Sequence, residues 1–314
     1  MTWGAGGLMT NGHFDRSIGD SAESLPDWLP RHLFPVTSRL IDIEGCRVHY
    51  VDEGEGPVFL FLHGNPTWSF LYRDIIKGLM HRFRCIALDY PGFGLSHARD
   101  GYDYWPESHA RILEQFIHKL NLGSFVLMVQ DWGGPIGLSV ALQNPRNVRG
   151  LVIGNTLAWP VKGDKHFEGF SAFMGGPIGG FLIRNFNAFV NVLIPAGTKK
   201  KLSSDIMRAY RGPFPDRASR EPTHIFPREI IGSGYFLGRI EKQLPALSQH
   251  PALLLWGDRD FAFREKERAR LEAIFGRHRT VILQGAGHYI QEDAAKEICI
   301  QIIKWYRDVF SEDI

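Results

Sequence analysis

The run Phe125-Val126-Leu127-Met128-Val129, followed at once by Gln130-Asp131-Trp132-Gly133-Gly134, constrains the fold more than any other stretch of the chain. Five consecutive apolar, partly β-branched residues fit a strand buried on both faces, and such strands belong to parallel sheets covered by helices. The two glycines permit a sharp turn into a helix, which the pattern places from near Gly133 through Leu142. Asp131 then stands at a helix N-terminus, where free N–H groups and the helix dipole favour an ionised carboxylate. Taken alone, an Asp before a helix is most simply an N-cap. A capping role and a chemical role are both open at this point.

Similar apolar runs recur at Val58 to Leu62, Cys85 to Leu88, Leu151 to Ile153, Ala252 to Trp256 and Thr280 to Leu283. Helical patterns alternate with them, at Ser108 to Leu120, from about Arg264, and from Glu292 to Trp305. That alternation predicts a parallel sheet flanked by helices, with Leu40 to Asp52 forming an antiparallel hairpin around Glu44-Gly45 at its edge. The rhythm stops over 157–230, where Gly-Gly-Pro-Ile-Gly-Gly at 175–180, many phenylalanines and Pro213, Pro215, Pro222 and Pro227 leave no strand-like run. The expected layout is therefore an α/β core over 25–156 and 231–314, a helical insertion over 157–230, and a mobile tail over 1–24.

Composition excludes several classes. A chain of 314 residues with 44% apolar content fills a sizeable core, and a net charge of +2 carries no nucleic-acid footprint. Lys199, Lys200 and Lys201 read as a solvated face. Cys46, Cys85 and Cys299 are too few and too scattered for a disulfide framework or a metal site. There is no basic start followed by an apolar stretch, and no apolar run nears the ~20 residues a membrane span needs. A cytoplasmic protein without a membrane partner is the expectation, with oligomeric state left open.

In a parallel sheet the chemistry lies beyond the carboxyl ends of the strands. Those positions hold His63-Gly64-Asn65-Pro66, Asp89-Tyr90-Pro91-Gly92, Asp131, Gly257-Asp258-Arg259-Asp260 and Gly285-Ala286-Gly287-His288. A nucleophile, an acid and a histidine in that chain order are what α/β-hydrolases use.

Val129-Gln130-Asp131-Trp132-Gly133-Gly134 resembles the nucleophile elbow of the haloalkane dehalogenases and the related epoxide hydrolases, with Asp in place of the usual Ser. The resemblance runs from about residue 40 to 310 and is weakest in the insertion. It departs at Val129, where many hydrolase elbows carry a small residue. It implies an α/β-hydrolase fold with a mostly parallel eight-stranded sheet and a helical cap inserted after the sixth strand. By the same resemblance Asp131 is the nucleophile, His288 the base and Asp260 its acid partner, because Gly154-Asn155 offers no carboxylate at the alternative place. Asp258 is the competitor for the acid, and the family's Trp-Gly-x-x-Asp pattern points to Asp260. Asn65 and Trp132 correspond to the halide-binding pair and oxyanion hole, a combination that resembles one dehalogenase subgroup.

A carboxylate is charged at neutral pH and needs no base to attack a saturated carbon, whereas the departing halide in a dry pocket needs donors, which an indole N–H and an amide NH2 supply. The implied activity is hydrolysis of a small apolar halogenated alkane, with water, to alcohol, halide and a proton, without metal or organic cofactor. Tyr210, Pro213, Phe214, Trp159, Phe167, Phe170, Phe261 and Tyr289 are candidate pocket-lining residues, or ordinary packing. An epoxide hydrolase using the same Asp131, His288 and Asp260 is the alternative and would need phenolic donors, for which Tyr210 and Tyr235 are available. Asn65 speaks against it. An oxygenase of the luciferase type is disfavoured by Asn155, and a small-molecule receptor on the same fold is the reading from a different class.

Overall fold

Strands that are buried along nearly their whole length form the centre of one sheet, and their register decides where the site stands. The computed structural model describes residues 20–21 and 25–311. Eight strands occur as expected: β1 (Ser38–Ile43), β2 (Cys46–Glu53), β3 (Val58–Leu62), β4 (Arg84–Leu88), β5 (Phe125–Gln130), β6 (Val148–Gly154), β7 (Ala252–Gly257) and β8 (His278–Leu283). They lie in the order β1-β2-β4-β3-β5-β6-β7-β8, antiparallel for the first two pairings and parallel thereafter. Glu44 and Gly45, both at positive φ, turn the β1–β2 hairpin. A two-residue strand, Asp20–Ser21, adds a ninth at the edge by pairing antiparallel with Leu40 and Arg39. The rest of the expected tail, 1–19 and 22–24, lies outside the described residues.

In register, Leu62 is opposite Val129, Gln130 is opposite Gly154, and Gly154 is opposite Leu255. The loops after β3, β5, β6 and β7 therefore leave the sheet side by side. Helices α1 (Arg73–Leu79) and α11 (Ile290–Phe310) pack together, and α3 (Gly133–Gln143) packs with α2 (Pro106–Lys119) and α9 (Gly234–Gln243). Pro106 opens α2 at a first-turn position where its missing N–H costs nothing. Helix α10 (Glu265–Ile274) connects β7 to β8.

Only helices stand between β6 and α9: α4 (Lys165–Met174), α5 (Pro177–Phe186), a π-helical turn Phe189–Leu193 running into α6 (Ile194–Gly197), α7 (Ser204–Arg211) and α8 (Glu221–Gly232). Asp164 and Ser203 cap α4 and α7 by accepting from His166 N and Ile206 N. A buried ion pair ties this layer to the sheet layer. Arg73 on α1 holds both carboxylate oxygens of Glu292 on α11, at 2.5 and 2.7 Å, and the Tyr210 hydroxyl on α7 donates to the same carboxylate. Removing one partner of such a group leaves an uncompensated buried charge, which costs several kcal/mol. Among the described residues no single helix is long and apolar enough to cross a membrane.

Candidate active site

Asp131 follows β5 with φ +51°, the left-handed region that a non-glycine residue adopts only when its surroundings hold it there. Its backbone N–H donates to the Asn155 carbonyl and its own carbonyl accepts from the Thr156 hydroxyl at 2.6 Å, so the start of the loop after β6 fixes the turn. Gly133 is required next, because a Cβ there would collide with the Leu62 carbonyl. Val129 sits fully buried in β5 and the turn forms nonetheless. The N-cap of α3 is Trp132, without a side-chain cap. The Asp131 carboxylate instead reaches across the sheet edge, where Oδ1 accepts from Asn65 N at 2.8 Å. It is not a helix cap.

The Asp131 carboxylate also accepts from the Trp132 backbone N–H. Asn65 is delivered by the loop after β3, which His63 braces by linking the Gly64 carbonyl to the Tyr90 N–H through its two ring nitrogens. The remaining Asn65 group, its amide Nδ2, lies 3.4 Å from the Thr223 carbonyl on α8. Asp89 accepts from His49 Nδ1, Ser69 N and Leu95 N, and holds its own loop without reaching the site.

His288 Nδ1 lies 3.1 Å from Asp260 Oδ2, and His288 Nε2 lies 3.7 Å from Asp131 Oδ2. Asp258 does not compete, since its Oδ1 accepts from Gly285 N at 2.7 Å. The Asp260 side chain is wholly enclosed, and its other oxygen accepts from Ala262 N. The histidine is therefore held by its Nδ1, with Nε2 facing Asp131. Burial opposes a proton on His288, but the charge of Asp260, its hydrogen bond and the charge of Asp131 outweigh burial and raise the pKa above the ordinary value. For Asp131 burial is the largest effect and raises its pKa, against the lowering influence of His288 and of the two backbone donors.

Three further side chains hold this arrangement, and nothing in the sequence singled out their roles. Gln130 Nε2 lies 3.1 Å from His288 Nε2 and also donates to the His288 carbonyl. Asn155, which offers no charge, donates to the Gly287 and His288 carbonyls and accepts from Gly257 N, joining the acid loop to the histidine loop. Asp293 collects Gly287 N, Lys199 N and Lys200 N on one carboxylate, and the Gly197 carbonyl accepts from His288 N at 2.7 Å. The end of α6 is thus stitched to the histidine loop.

A cavity opens above Asp131, lined by Asn65, Trp132 and His288 at its floor and by Phe167, Phe170, Phe189, Leu193, Pro227, Ile230, Phe261, Phe263 and Tyr289 around it. Of the proposed lining, Phe167, Phe170, Phe261 and Tyr289 hold their places. Four residues do not. Trp159 lies under the Arg270 guanidinium, 4.2 Å from its ring centre, and borders a separate polar hollow. Tyr210 is committed to Glu292, Phe214 packs edge-on against Phe93 at 6.0 Å, and Pro213 borders a cleft beside Trp28. Phe189, Leu193, Pro227, Ile230 and Phe263 were missed. Phe263 stacks on the imidazole at 5.6 Å. Tyr235, the other phenol considered, is 79% exposed, so neither phenol reaches the cavity.

A carboxylate, a histidine with its acid, and two neutral donors beside a cavity of aromatic and aliphatic walls suit displacement at an apolar substrate followed by hydrolysis. Among the described residues no group of three or more His, Cys, Asp or Glu could hold a metal ion.

Residues 57–295 match the family described as alpha/beta hydrolase fold. The chain is 46% identical over 274 residues to haloalkane dehalogenase 2 of Mycobacterium tuberculosis, covering 87% of this chain and 96% of that protein. It is 32% identical to a cis-3-alkyl-4-alkyloxetan-2-one decarboxylase of Shewanella oneidensis, covering 86% and 88% of the two chains. Among solved structures, haloalkane dehalogenase DbeA from Bradyrhizobium elkani superposes with a TM-score of 0.81 at 29% identity, covering 88% of this chain and 99% of that one.

Proposed function

The chain belongs to the haloalkane dehalogenase family of the α/β-hydrolase fold, and from that premise we propose that it hydrolyses apolar haloalkanes through a covalent alkyl ester of Asp131. The observation that carries this reading is the elbow itself. It presents a carboxylate, not a hydroxyl, with His288 Nε2 3.7 Å away and Asn65 and Trp132 beside it.

Asp131 Oδ1 is tied to the Asn65 backbone, which leaves Oδ2 to attack the carbon that bears the halogen. The carbon–halogen bond breaks as the new C–O bond forms, and its electron pair leaves on the halide. Asn65 Nδ2–H and Trp132 Nε1–H donate to that anion; being neutral, they let it go afterwards. The ester removes the Asp131 charge, one of the influences that raise the His288 pKa, so the imidazole now favours its neutral form. His288 Nε2 then takes a proton from water whose oxygen attacks the ester carbonyl carbon, while Asp260 stabilises the imidazolium. The oxyanion rests on the Asn65 and Trp132 N–H groups that hold the free carboxylate. Collapse releases the alcohol, regenerates Asp131 and leaves one net proton for the solvent. Residues 157–230 act as the cap that closes over the substrate.

An epoxide hydrolase needs an acid near the opening ring oxygen; Tyr210 and Tyr235 lie elsewhere, and the phenol that does line the cavity, Tyr289, stands edge-on to the His288 imidazole at 4.7 Å. The test is halide release from short brominated and chlorinated alkanes, run beside epoxides and a cis-dialkyl oxetanone. Repeated release is expected from haloalkanes, and Asp131→Ala should lower it by at least about 10^3-fold. Diol formation or lactone loss without halide release from any alkane would overturn the proposal.

A further inference from the structure

The outer surface of the cap carries an apolar face. Phe173, Ile178, Phe181, Phe186 and Val192 are each more than half exposed. They form one patch. The Phe181 and Phe186 rings are 6.0 Å apart, Gly179 at the start of α5 packs against the Phe173 and Met174 backbone, and Asn191 Nδ2 donates to the Phe186 carbonyl. On α5 the stripe Ile178, Phe181, Phe186 faces out while Ile183 is fully buried, so the helix is apolar on both sides. A surface helix of a freely dissolved domain shows a polar outer face instead.

The charge along this stretch of chain has one sign, although Arg184 on α5 is paired with Glu221 of α8. No Asp or Glu occurs between Glu168 and Asp205, whereas Lys199, Lys200 and Lys201 are exposed where α6 ends. Arg211, also exposed, donates to the Asn191 side chain at 2.6 Å. Helix α5 and the stretch Phe189–Gly197 are together apolar enough for a membrane span but meet at 87°. That bend forbids crossing as one rod. It suits lying in the plane of a bilayer surface, with phenylalanines among the acyl chains and lysines at anionic headgroups. The inward side of α4 and of the stretch Phe189–Gly197 supplies Phe170, Phe189 and Leu193 to the cavity.

We propose that the α4–α5–π-turn face of the cap docks on an anionic phospholipid bilayer, placing the cavity roof against the phase into which apolar substrates partition. The proposal departs from the expectation of no membrane partner; among the described residues no single helix is long and apolar enough to cross a bilayer, and lying on one makes a different demand.

The experiment is co-sedimentation of the full chain with phosphatidylglycerol and with phosphatidylcholine vesicles. It compares wild type with Ile178→Glu/Phe181→Glu and with Lys201→Glu/Arg211→Glu, alongside analytical ultracentrifugation and halide release from a water-dissolved substrate. Wild type should bind phosphatidylglycerol vesicles and release them in high salt. The apolar pair should lose binding at least about tenfold, and the basic pair by roughly fivefold per cation removed. Activity on dissolved substrate should hold in both, so the lipid test stands apart from the proposed reaction. Absence of wild-type binding, binding unchanged in both variants, or a self-associated wild type that Ile178→Glu/Phe181→Glu renders monomeric without any vesicle binding would each overturn the proposal.

Discussion

The loops at the strand ends and the cap above them meet across one cavity but are determined in different ways. Each strand-end residue sits where backbone geometry leaves little choice. Asp131 is held at φ +51° by the Asn155 carbonyl and Thr156 hydroxyl, and Asp260 is enclosed with both oxygens engaged. The cap contributes mostly apolar surface, with His166 and the Thr223 carbonyl as polar exceptions, and which surface depends on how its helices rotate against one another. The placement of the strand-end groups is therefore fixed by short, local constraints, whereas the cavity walls are fixed by long-range packing.

Substitution in each region should separate the two. Asp260→Ala should lower steady-state halide release by roughly 10^2- to 10^4-fold, since the imidazole loses both its orientation and its counter-charge. Asp258→Ala, two residues away, should change it by no more than about threefold, because that carboxylate accepts from Gly285 N and does not reach His288. Comparable losses in both would break the assignment of the acid.

Within the cap, Phe189→Ala and Leu193→Phe should shift preference between short and long bromoalkanes by about 10- to 200-fold in kcat/KM while leaving the pH profile unchanged. Trp159→Leu and Pro213→Ala should leave that preference within about twofold, since neither residue touches the cavity. A preference that follows Trp159 would show that the lining has been placed wrongly.

The smallest effect expected is on pH. His288 must be neutral to take the proton, and its pKa lies above the ordinary value because Asp260 and Asp131 outweigh burial. That step takes place on the ester, where the Asp131 charge is gone and the Asp260 influence remains, so turnover should fall as pH drops through a value below that of the free enzyme. In Asp260→Asn a raising influence is gone, so the acid limb should move to lower pH even as the plateau falls. A limb that stays in place would assign it to another group.

The sheet was legible because Val58–Leu62, Arg84–Leu88 and Phe125–Gln130 are buried on both faces and show it in their composition. The site was legible wherever a loop was short, as at His63 to Asn65 and Gly287 to His288. Gln130 and Asn155 escaped because uncharged amides announce no chemistry, although Gln130 is adjacent to the nucleophile. Asp293 escaped because its partners, Gly287 N and the Lys199 and Lys200 N–H groups, include two from a segment nearly a hundred residues earlier. The cap misled most. Aromatic content marks Tyr210, Phe214 and Trp159 as apolar without saying which cavity they face, and the contacts of Tyr210 with Glu292 and of Trp159 with Arg270 cross between separate parts of the chain.

The reaction through an Asp131 ester is tested most directly by the intact mass of His288→Phe after exposure to a bromoalkane. One equivalent of bromide should be released, and the protein should gain one alkyl group in place of a proton, on the peptide that carries Asp131. Continued turnover without an adduct, or an alkyl group on any other residue, would contradict it.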